Sequence, residues 1–476
     1  MSLKKQAISG VKWNFIQQFS VQIINFGVQV ILARLLSPEA FGLIAMIVVL
    51  ISIGQSLMDS GMTSSLIRTQ KPDQADYSTV FVTNLLMSCM IYIIIYVTAP
   101  LIAGFYNQEI LTDIIRLLAL SFVIRAFVAV HITKLTKEMN FKLQMKLQIP
   151  SVLLSGIVGV SMAYLGYGVW SLVWLNLTQA IIFALQNWML ISWRPSFIFD
   201  REKFIYHFKF GYKLTISSLI DTIYNDAYRI VIGKFYSPTQ VGLFNQAETM
   251  RLFPVQQISI VMGKVTYPYF ANIDNDAGLR RAYRKSMKLV MFATIPIMLS
   301  LILVAEEGFR FVFGEKWLPA VPFFQVLAVA SIVRPVSAYN LNILKVKGRS
   351  DLFLWVEILK KIIGILCLIV GLGFGLNGLI ISLVAFSYSS YFINMYFSGK
   401  LLAYTVANQI KDIFIMLIVG SLMFTVLYYF KAFLATWISS DIGVIILIGS
   451  LNTALFISFS LLLDKDLRGI IKDLRS

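Results

Sequence analysis

Residues 31–43 read ILARLLSPEAFGL, and residues 231–243 read VIGKFYSPTQVGL. Ser37-Pro38, Gly42-Leu43 and the preceding Arg34 recur 200 positions later as Ser237-Pro238, Gly242-Leu243 and Lys234. A weaker echo links LGYGVWSLV (165–173) with GLNGLIISLV (375–384). Ser-Pro before an apolar run is a helix stop and restart, because proline suits the first helical turn. The register also carries into the adjoining segments, so the pattern predicts an internal duplication.

The duplicated material is apolar. Of 476 residues, 58% are apolar and 14% charged, against roughly 25% charged in an ordinary soluble domain. A bilayer-crossing helix needs ~20 residues. Apolar segments of that length fall at about 11–34, 40–65, 79–104, 114–132, 147–166 and 168–193, and then at about 211–235, 240–263, 287–313, 320–344, 352–374, 376–397, 411–430 and 442–463. The expectation is an all-α polytopic membrane protein with about fourteen transmembrane helices. The repeat offset contains six crossings, an even number, so the copies share one orientation and predict two parallel six-helix bundles around a central cavity. This divides the chain into an N-lobe (1–193), a basic cytoplasmic linker (194–210), a C-lobe (211–400), and two extra helices with a basic tail (401–476).

The formal net charge is +17, from 41 Lys and Arg against 24 Asp and Glu. With both termini on the cytoplasmic side, 31 of these cations fall inside, 5 outside and 5 within spans. Such asymmetry is the positive-inside signal of a multi-pass protein. It accounts for the excess without nucleic acid, and inner-rim cations can also meet anionic lipid headgroups. The longest outer loop, about 305–319, leaves no room for a soluble domain. The start, with Lys4, Lys5 and Lys12, lacks a small-residue cleavage site and reads as an uncleaved first span.

The five intramembrane cations are Arg116, Arg125, Arg229, Arg251 and Arg334. Arginine at mid-bilayer costs at least ~2.5–3.5 kcal/mol on insertion scales, so each calls for a partner or a ligand. Asp113, Asp226 and Glu248 stand three residues from Arg116, Arg229 and Arg251, where a structural ion pair is as plausible as a ligand contact. Arg125 and Arg334 have no acid within four residues. They are the stronger candidates for holding an anion, with a distant acid such as Asp59 or Glu357 as the alternative. A guanidinium suits phosphate because its planar fork donates two hydrogen bonds and stays charged when desolvated.

Gln18, Gln22, Asn25 and Gln29 share one helix face, and Ser218, Thr222 and Asn225 form a stripe 200 residues on, with Arg229 in line and Asp221 beside it. Polar side chains at membrane depth face a bundle interior or a watery cavity, although such amides also glue helices together. Both stripes read as cavity-lining. Trp13, Tyr224 and Tyr228 lie on the same helices. Asp59, Asp221 and Glu248 are candidate proton or sodium sites, and equally candidate partners for a buried arginine. Pro254, Pro296 and Pro335 interrupt spans and offer bending points.

No GxxxxGK[ST] loop, HExxH pair or GxSxG elbow occurs, which disfavours ATP-driven pumping and common hydrolytic chemistry. Cys89 and Cys367 are far apart, and the two histidines, His131 and His207, sit beside basic loops, so no metal or other cofactor is expected. Asp274-Asn275-Asp276 lies among Arg280, Arg281, Arg284 and Lys285 and reads as a solvated turn.

LLSPEAFGL after the first span, with DSGMTSSLIRTQ at 59–70, resembles the polysaccharide transporter (Wzx-type) branch of the multidrug, oligosaccharidyl-lipid and polysaccharide exporter superfamily. Within it the chain is similar to exporters of colanic acid or teichuronic acid repeat units. The resemblance runs over essentially the whole chain. It implies a flippase, not an enzyme, in the bacterial cytoplasmic membrane. Such a protein moves undecaprenyl-pyrophosphate-linked oligosaccharide by alternating access, coupled to H+, Na+ or the membrane potential, for exopolysaccharide, O-antigen or cell-wall polysaccharide assembly alongside other assembly proteins. Cavity arginines are a theme of that family, and Arg125, Arg229, Arg251 and Arg334 could serve it here. The alternatives are a cation-coupled multidrug exporter of the same superfamily and a membrane polysaccharide polymerase or glycosyltransferase. Abundant buried arginine counts against the first, and short outer loops count against the second.

Overall fold

The computed structural model describes the backbone of residues 3–434, 437–438 and 440–475, and the side chains of all of these except 3–9, 11, 260–261, 263–265, 338 and 473–475. The side chains of Lys4 and Lys5 therefore lie outside the described residues. The chain forms two compact units, Met1–Gly242 and Leu243–Ser476.

The first unit contains α1 (Leu3–Leu35), α2 (Pro38–Asp59), α3 (Met62–Arg68), α4 (Gln74–Tyr106), α5 (Leu111–Lys137), α6 (Phe141–Tyr164), α7 (Trp170–Leu190), α8 (Arg201–Asn225), α9 (Ala227–Phe235) and the start of α10 (Pro238–Ala271). Its helix starts follow the local chemistry. Ser37 caps α2, its hydroxyl accepting from the Ala40 N–H at 3.4 Å, with Pro38 in the first turn. At the second copy the Ser237 hydroxyl accepts from the Gln240 N–H at 3.4 Å, and the Gln240 side chain accepts from the Ser237 N–H at 3.2 Å. Asp73 and Asp76 form a reciprocal capping box at the start of α4. Ser60 and Gly61, with φ of 47° and 65°, break α2 from α3 within the stretch read as one span.

The two Ser-Pro copies also pack on each other. A Cβ on Gly42 would overlap the Pro238 carbonyl, and a Cβ on Gly242 would overlap the Pro38 carbonyl. Glycine at both positions lets the two helix starts meet backbone to backbone. The duplicated motif is therefore at once a pair of helix starts and a self-contact. Elsewhere in this unit α1 lies along α6, α4 along α5, and α8 along α2, α3 and α4. The basic stretch after α7 becomes helical at Arg201, with Asp200 capping the Glu202 and Lys203 N–H groups.

The second unit continues α10 and adds α11 (Asp276–Leu303), α12 (Ala305–Phe313), a 3-10 turn (Glu315–Ala320), α13 (Val321–Ser331), α14 (Arg334–Val346), α15 (Ser350–Gly373), α16 (Gly375–Leu401), α17 (Val406–Leu434), α18 (Asp441–Leu463) and α19 (Lys465–Arg475). Pro254 and Pro296 sit inside continuous helices, whereas Pro335 lies in the first turn of α14 and marks a break from α13. Asn275 caps α11, and Asp276 pairs with Lys347, so the Asp274–Asp276 segment is a helix start at a turn.

Among the described residues ten helical stretches are long and apolar enough to cross a membrane, which makes this a multi-pass membrane protein. The expected fourteen are not reached by that measure. The segments α7, α8–α9, α10 and α15 are helical where spans were expected but are rich in polar or charged side chains, such as Asn176, Gln179, Gln186 and Asn187 on α7.

Candidate functional site

Ser52, Gln55, Ser56 and Asp59 occupy positions i, i+3, i+4 and i+7 of α2, a polar stripe on an otherwise apolar helix. Beside its middle, α5 supplies Ser121 and Arg125 and α7 supplies Asn176. Together with Ser52 and Gln55 they line a cavity of about 110 Å³. Toward the α2–α3 break the same stripe lines an open groove of about 430 Å³, completed by Ser64, Thr215 and Ser218. The Ser56 and Ser218 hydroxyls lie 3.3 Å apart. Thr63 holds the Asp59 carboxylate in place, its hydroxyl donating at 2.9 Å and its N–H at 3.4 Å.

The five arginines fall into three groups. Arg125 makes no hydrogen bond or ion pair among the described residues, and its Nε is shut away from solvent. Arg334, at the start of α14, also makes neither, and remains exposed with Arg251 and Glu248 as its charged neighbours. Arg229 and Arg251, by contrast, are neutralised locally. Arg229 pairs with Asp226. Arg251 donates from Nε and Nη2 to the two Glu248 oxygens, each at 2.7 Å, and from Nη1 to the Ser331 hydroxyl at 2.9 Å, clamping α10 to α13. Arg116 departs from expectation. No pair with Asp113 forms among the described residues, and its guanidinium lies over the Tyr96 ring, 4.4 Å from the centroid, with Nε donating to the Tyr96 carbonyl at 3.3 Å. It is an α4–α5 packing contact, the guanidinium being taken up by the Tyr96 ring and carbonyl of the neighbouring helix.

On α1, Gln18 and Asn25 are exposed and Gln22 and Gln29 half-buried; on α8, Ser218 and Asn225 are exposed and Thr222 half-buried. Asp221 is exposed, Tyr224 half-buried and Tyr228 buried. The Lys142 ammonium sits 5.2 Å from the Trp13 ring centroid. Asp59 meets neither Arg125 nor Arg334, and Glu357 pairs with Lys360. Both distant acids weighed as arginine partners are thus engaged elsewhere.

One polar cluster lies apart from these cavities. Fully buried His207 has Nδ1 2.8 Å from the Ser65 hydroxyl and Nε2 3.1 Å from Asp76, and Asp76 also accepts from Lys203 at 3.2 Å. Burial pushes the His207 imidazole below its ordinary pKa. Lys203 holds the Asp73 carboxyl well below the usual carboxylate range. The buried cluster ties α3, α4 and α8 together, and its Ser-His-Asp order is a structural crosslink.

Sequence reading overlooked the α2 stripe. Its signal was present in the spacing of Ser52, Gln55, Ser56 and Asp59, but small hydroxyl residues barely lower the apolarity of a span.

An all-helical fold crossing the membrane repeatedly, with a polar stripe and, among the described residues, an arginine without a hydrogen-bond or ion-pair partner at membrane depth, defines the class of multi-pass proteins with an intramembrane polar site. The chain belongs to the family described as "Polysaccharide biosynthesis protein", whose model matches residues 31–322. It is 29% identical over 363 residues to the teichuronic acid biosynthesis protein TuaB of Bacillus subtilis, covering 74% of each chain. It is 24% identical over 380 residues to the lipopolysaccharide biosynthesis protein WzxC of Escherichia coli, covering 78% of this chain and 76% of that one. It is also 24% identical to the succinoglycan biosynthesis transport protein ExoT of Rhizobium meliloti, covering 75% and 73%. Among solved structures, the inward closed conformation of the lipid II flippase MurJ superposes with a TM-score of 0.74 at 16% identity, covering 95% of this chain and 99% of that one. An inward-facing multidrug resistance MATE family transporter of the MOP superfamily gives 0.61 at 17% identity, covering 80% and 94%. These likenesses establish a shared fold.

Proposed function

We propose that this chain is a flippase for undecaprenyl-pyrophosphate-linked oligosaccharide repeat units in the bacterial cytoplasmic membrane, working by alternating access, with both termini cytoplasmic. The observation that carries the reading is Arg125: a half-buried guanidinium at membrane depth, without a hydrogen bond or ion pair among the described residues, lining a small cavity of mixed apolar and polar walls. An uncompensated buried charge is costly, and an anionic headgroup is the ligand that offsets the cost. Names of relatives concerned with teichuronic acid, lipopolysaccharide and succinoglycan support the substrate class.

In this reading Arg125 holds pyrophosphate in the first unit, Arg334 offers a second guanidinium for an anionic group in the second unit, and Arg229, Arg251 and Arg116 keep structural roles. The polar faces of α1 and α8 line the route, and lobes 1–193 and 211–400, linked by 194–210 and followed by 401–476, are the working parts. Asp59 and Asp221 are the candidates for proton or sodium coupling, Glu248 being paired with Arg251. Polysaccharide assembly proteins act on the product outside. A cation-coupled drug exporter shares the fold, but an unpaired guanidinium repels cationic drugs. A polymerase or glycosyltransferase would need a catalytic outer face, which the short outer loops do not provide.

The test pairs a deletion with a variant. Mass spectrometry of a deletion strain is expected to find the lipid-linked oligosaccharide accumulating in the cytoplasmic leaflet. The double variant Arg125→Ala, Arg334→Ala is expected to fold and not to translocate. Normal translocation by well-expressed double variant would overturn the site.

A further inference from the structure

Ser52 and Gln55 line both the Arg125 cavity and the Asp59 groove. A single α2 stripe thus joins two compartments of opposite character. Among the described residues, the only charged side chain lining the first is a guanidinium, and the only one lining the second is a carboxylate. From Ser52 to Asp59 the helix rises ~10 Å, a headgroup's length and not a single atom's.

The groove's chemistry is that of a polyol site. Ser52, Ser56, Ser64 and Ser218 each present a hydroxyl that can donate and accept, Thr215, whose hydroxyl donates to the Gly211 carbonyl at 3.3 Å, offers an acceptor, and Gln55 presents an amide that does both. Sugar hydroxyls need such two-way partners. The Asp59 carboxylate accepts from Thr63, which fixes its direction, and keeps lone pairs for a vicinal pair of hydroxyls. At about 430 Å³ the groove lies within the range of small-molecule sites.

We propose that this stripe is a bipartite headgroup track, in which the Arg125 end takes the pyrophosphate and the Asp59 groove takes the first sugar, selecting a neutral or amino sugar over an acidic one. The proposal rests on the flippase reading and adds a specificity-determining residue to it. Selection is by repulsion as well as fit: a uronic acid would set its carboxylate against Asp59, with no cation lining the groove to relieve the contact. Asp59 then serves recognition and not ion coupling.

The test uses the full-length chain in lipid nanodiscs and three probes: undecaprenyl pyrophosphate, undecaprenyl-pyrophosphoryl-glucose and undecaprenyl-pyrophosphoryl-glucuronic acid. Wild type is expected to bind the glucosyl probe about tenfold tighter than the glucuronosyl one, a difference of ~1.4 kcal/mol. Asp59→Asn, which keeps an acceptor for Thr63, is expected to bring that ratio toward one. Gln55→Leu is expected to weaken the glucosyl probe, and Arg125→Ala to weaken all three. The proposal is overturned if the ratio survives in Asp59→Asn, or if Asp59→Asn abolishes a sodium or pH dependence while sugar preference stays intact. Should wild type bind none of the probes above a phosphatidylglycerol background, the flippase reading itself fails. Binding of undecaprenyl pyrophosphate without any sugar preference overturns the sugar site alone.

Discussion

Gly42 and Gly242 stand back to back: the Pro238 carbonyl fills the space a side chain on Gly42 would need, and the Pro38 carbonyl does the same for Gly242. The contact is reciprocal, each copy of the motif meeting the other through equivalent atoms, as in a two-fold interface. Both helix starts are fixed by it, and through α2 so is the stripe from Ser52 to Asp59.

Enlarging either glycine should therefore destabilise the protein. Gly42→Val forces its side chain into the Pro238 carbonyl, and overpacking of this kind costs ~1–3 kcal/mol. The expected outcome is a lower melting temperature in detergent for Gly42→Val and for Gly242→Val. The double variant should lose less than the sum, because the first substitution already separates the helices. Additive losses would show that the two sites are independent.

Arg251 is a clamp. Its side chain is 6% exposed and that of Glu248 is 15% exposed. Arg251→Ala leaves Glu248 without its bidentate partner, which should cost about 3–5 kcal/mol. Arg251→Met combined with Glu248→Gln should recover most of that, because both members of the bidentate pair are neutralised together. Thermal unfolding of the three variants checks the order, and a stable Arg251→Ala would exclude the clamp.

A pH effect follows from His207. Burial lowers its pKa in the folded state, so the unfolded chain binds the proton more readily. Its contribution is full above the ordinary imidazole value of ~6.5 and declines as pH falls below that. Neighbouring Asp76 and Lys203 pull in opposite directions on the imidazolium. Melting temperature measured from pH 8 to pH 5 should drop in wild type, and the drop should be shallower in His207→Gln. Asp73, lowered by Lys203, adds a further loss only below ~4.

At Arg125 charge alone should not suffice. Arg125→Lys keeps the cation but loses the planar fork. Given that a hydrogen bond to a charged group contributes ~1.5–3 kcal/mol, headgroup binding should weaken by roughly tenfold or more with stability unchanged. A lysine variant that binds as well as wild type would show that the site senses charge and not geometry.

Helical and membrane character was legible because it is a property of single segments: apolar runs, Ser-Pro starts and the sidedness of the cations. The acids at i−3 of Arg229 and Arg251 were legible for the same reason, one helical turn being local. Arg116 was not, since Tyr96 lies on another helix and competes with Asp113 at no sequence distance one can read. The α2 stripe lay between these cases. Its spacing was visible in the sequence, but its importance depended on Arg125, Asn176 and Thr215 arriving from α5, α7 and α8.

By itself the sequence determined the all-helical, multi-pass architecture and the duplicated Ser-Pro-x-x-x-Gly motif, because apolar periodicity and capping act within a few residues. Only the tertiary structure decided that the two motif copies touch and that Arg251 is clamped by Glu248 and Ser331 while Arg125 has no partner among the described residues. It also decided that Asp59 faces hydroxyls and not an arginine. These depend on which helices pack side by side, and low-dielectric pairing is settled by the nearest partner in space, whatever the distance along the chain.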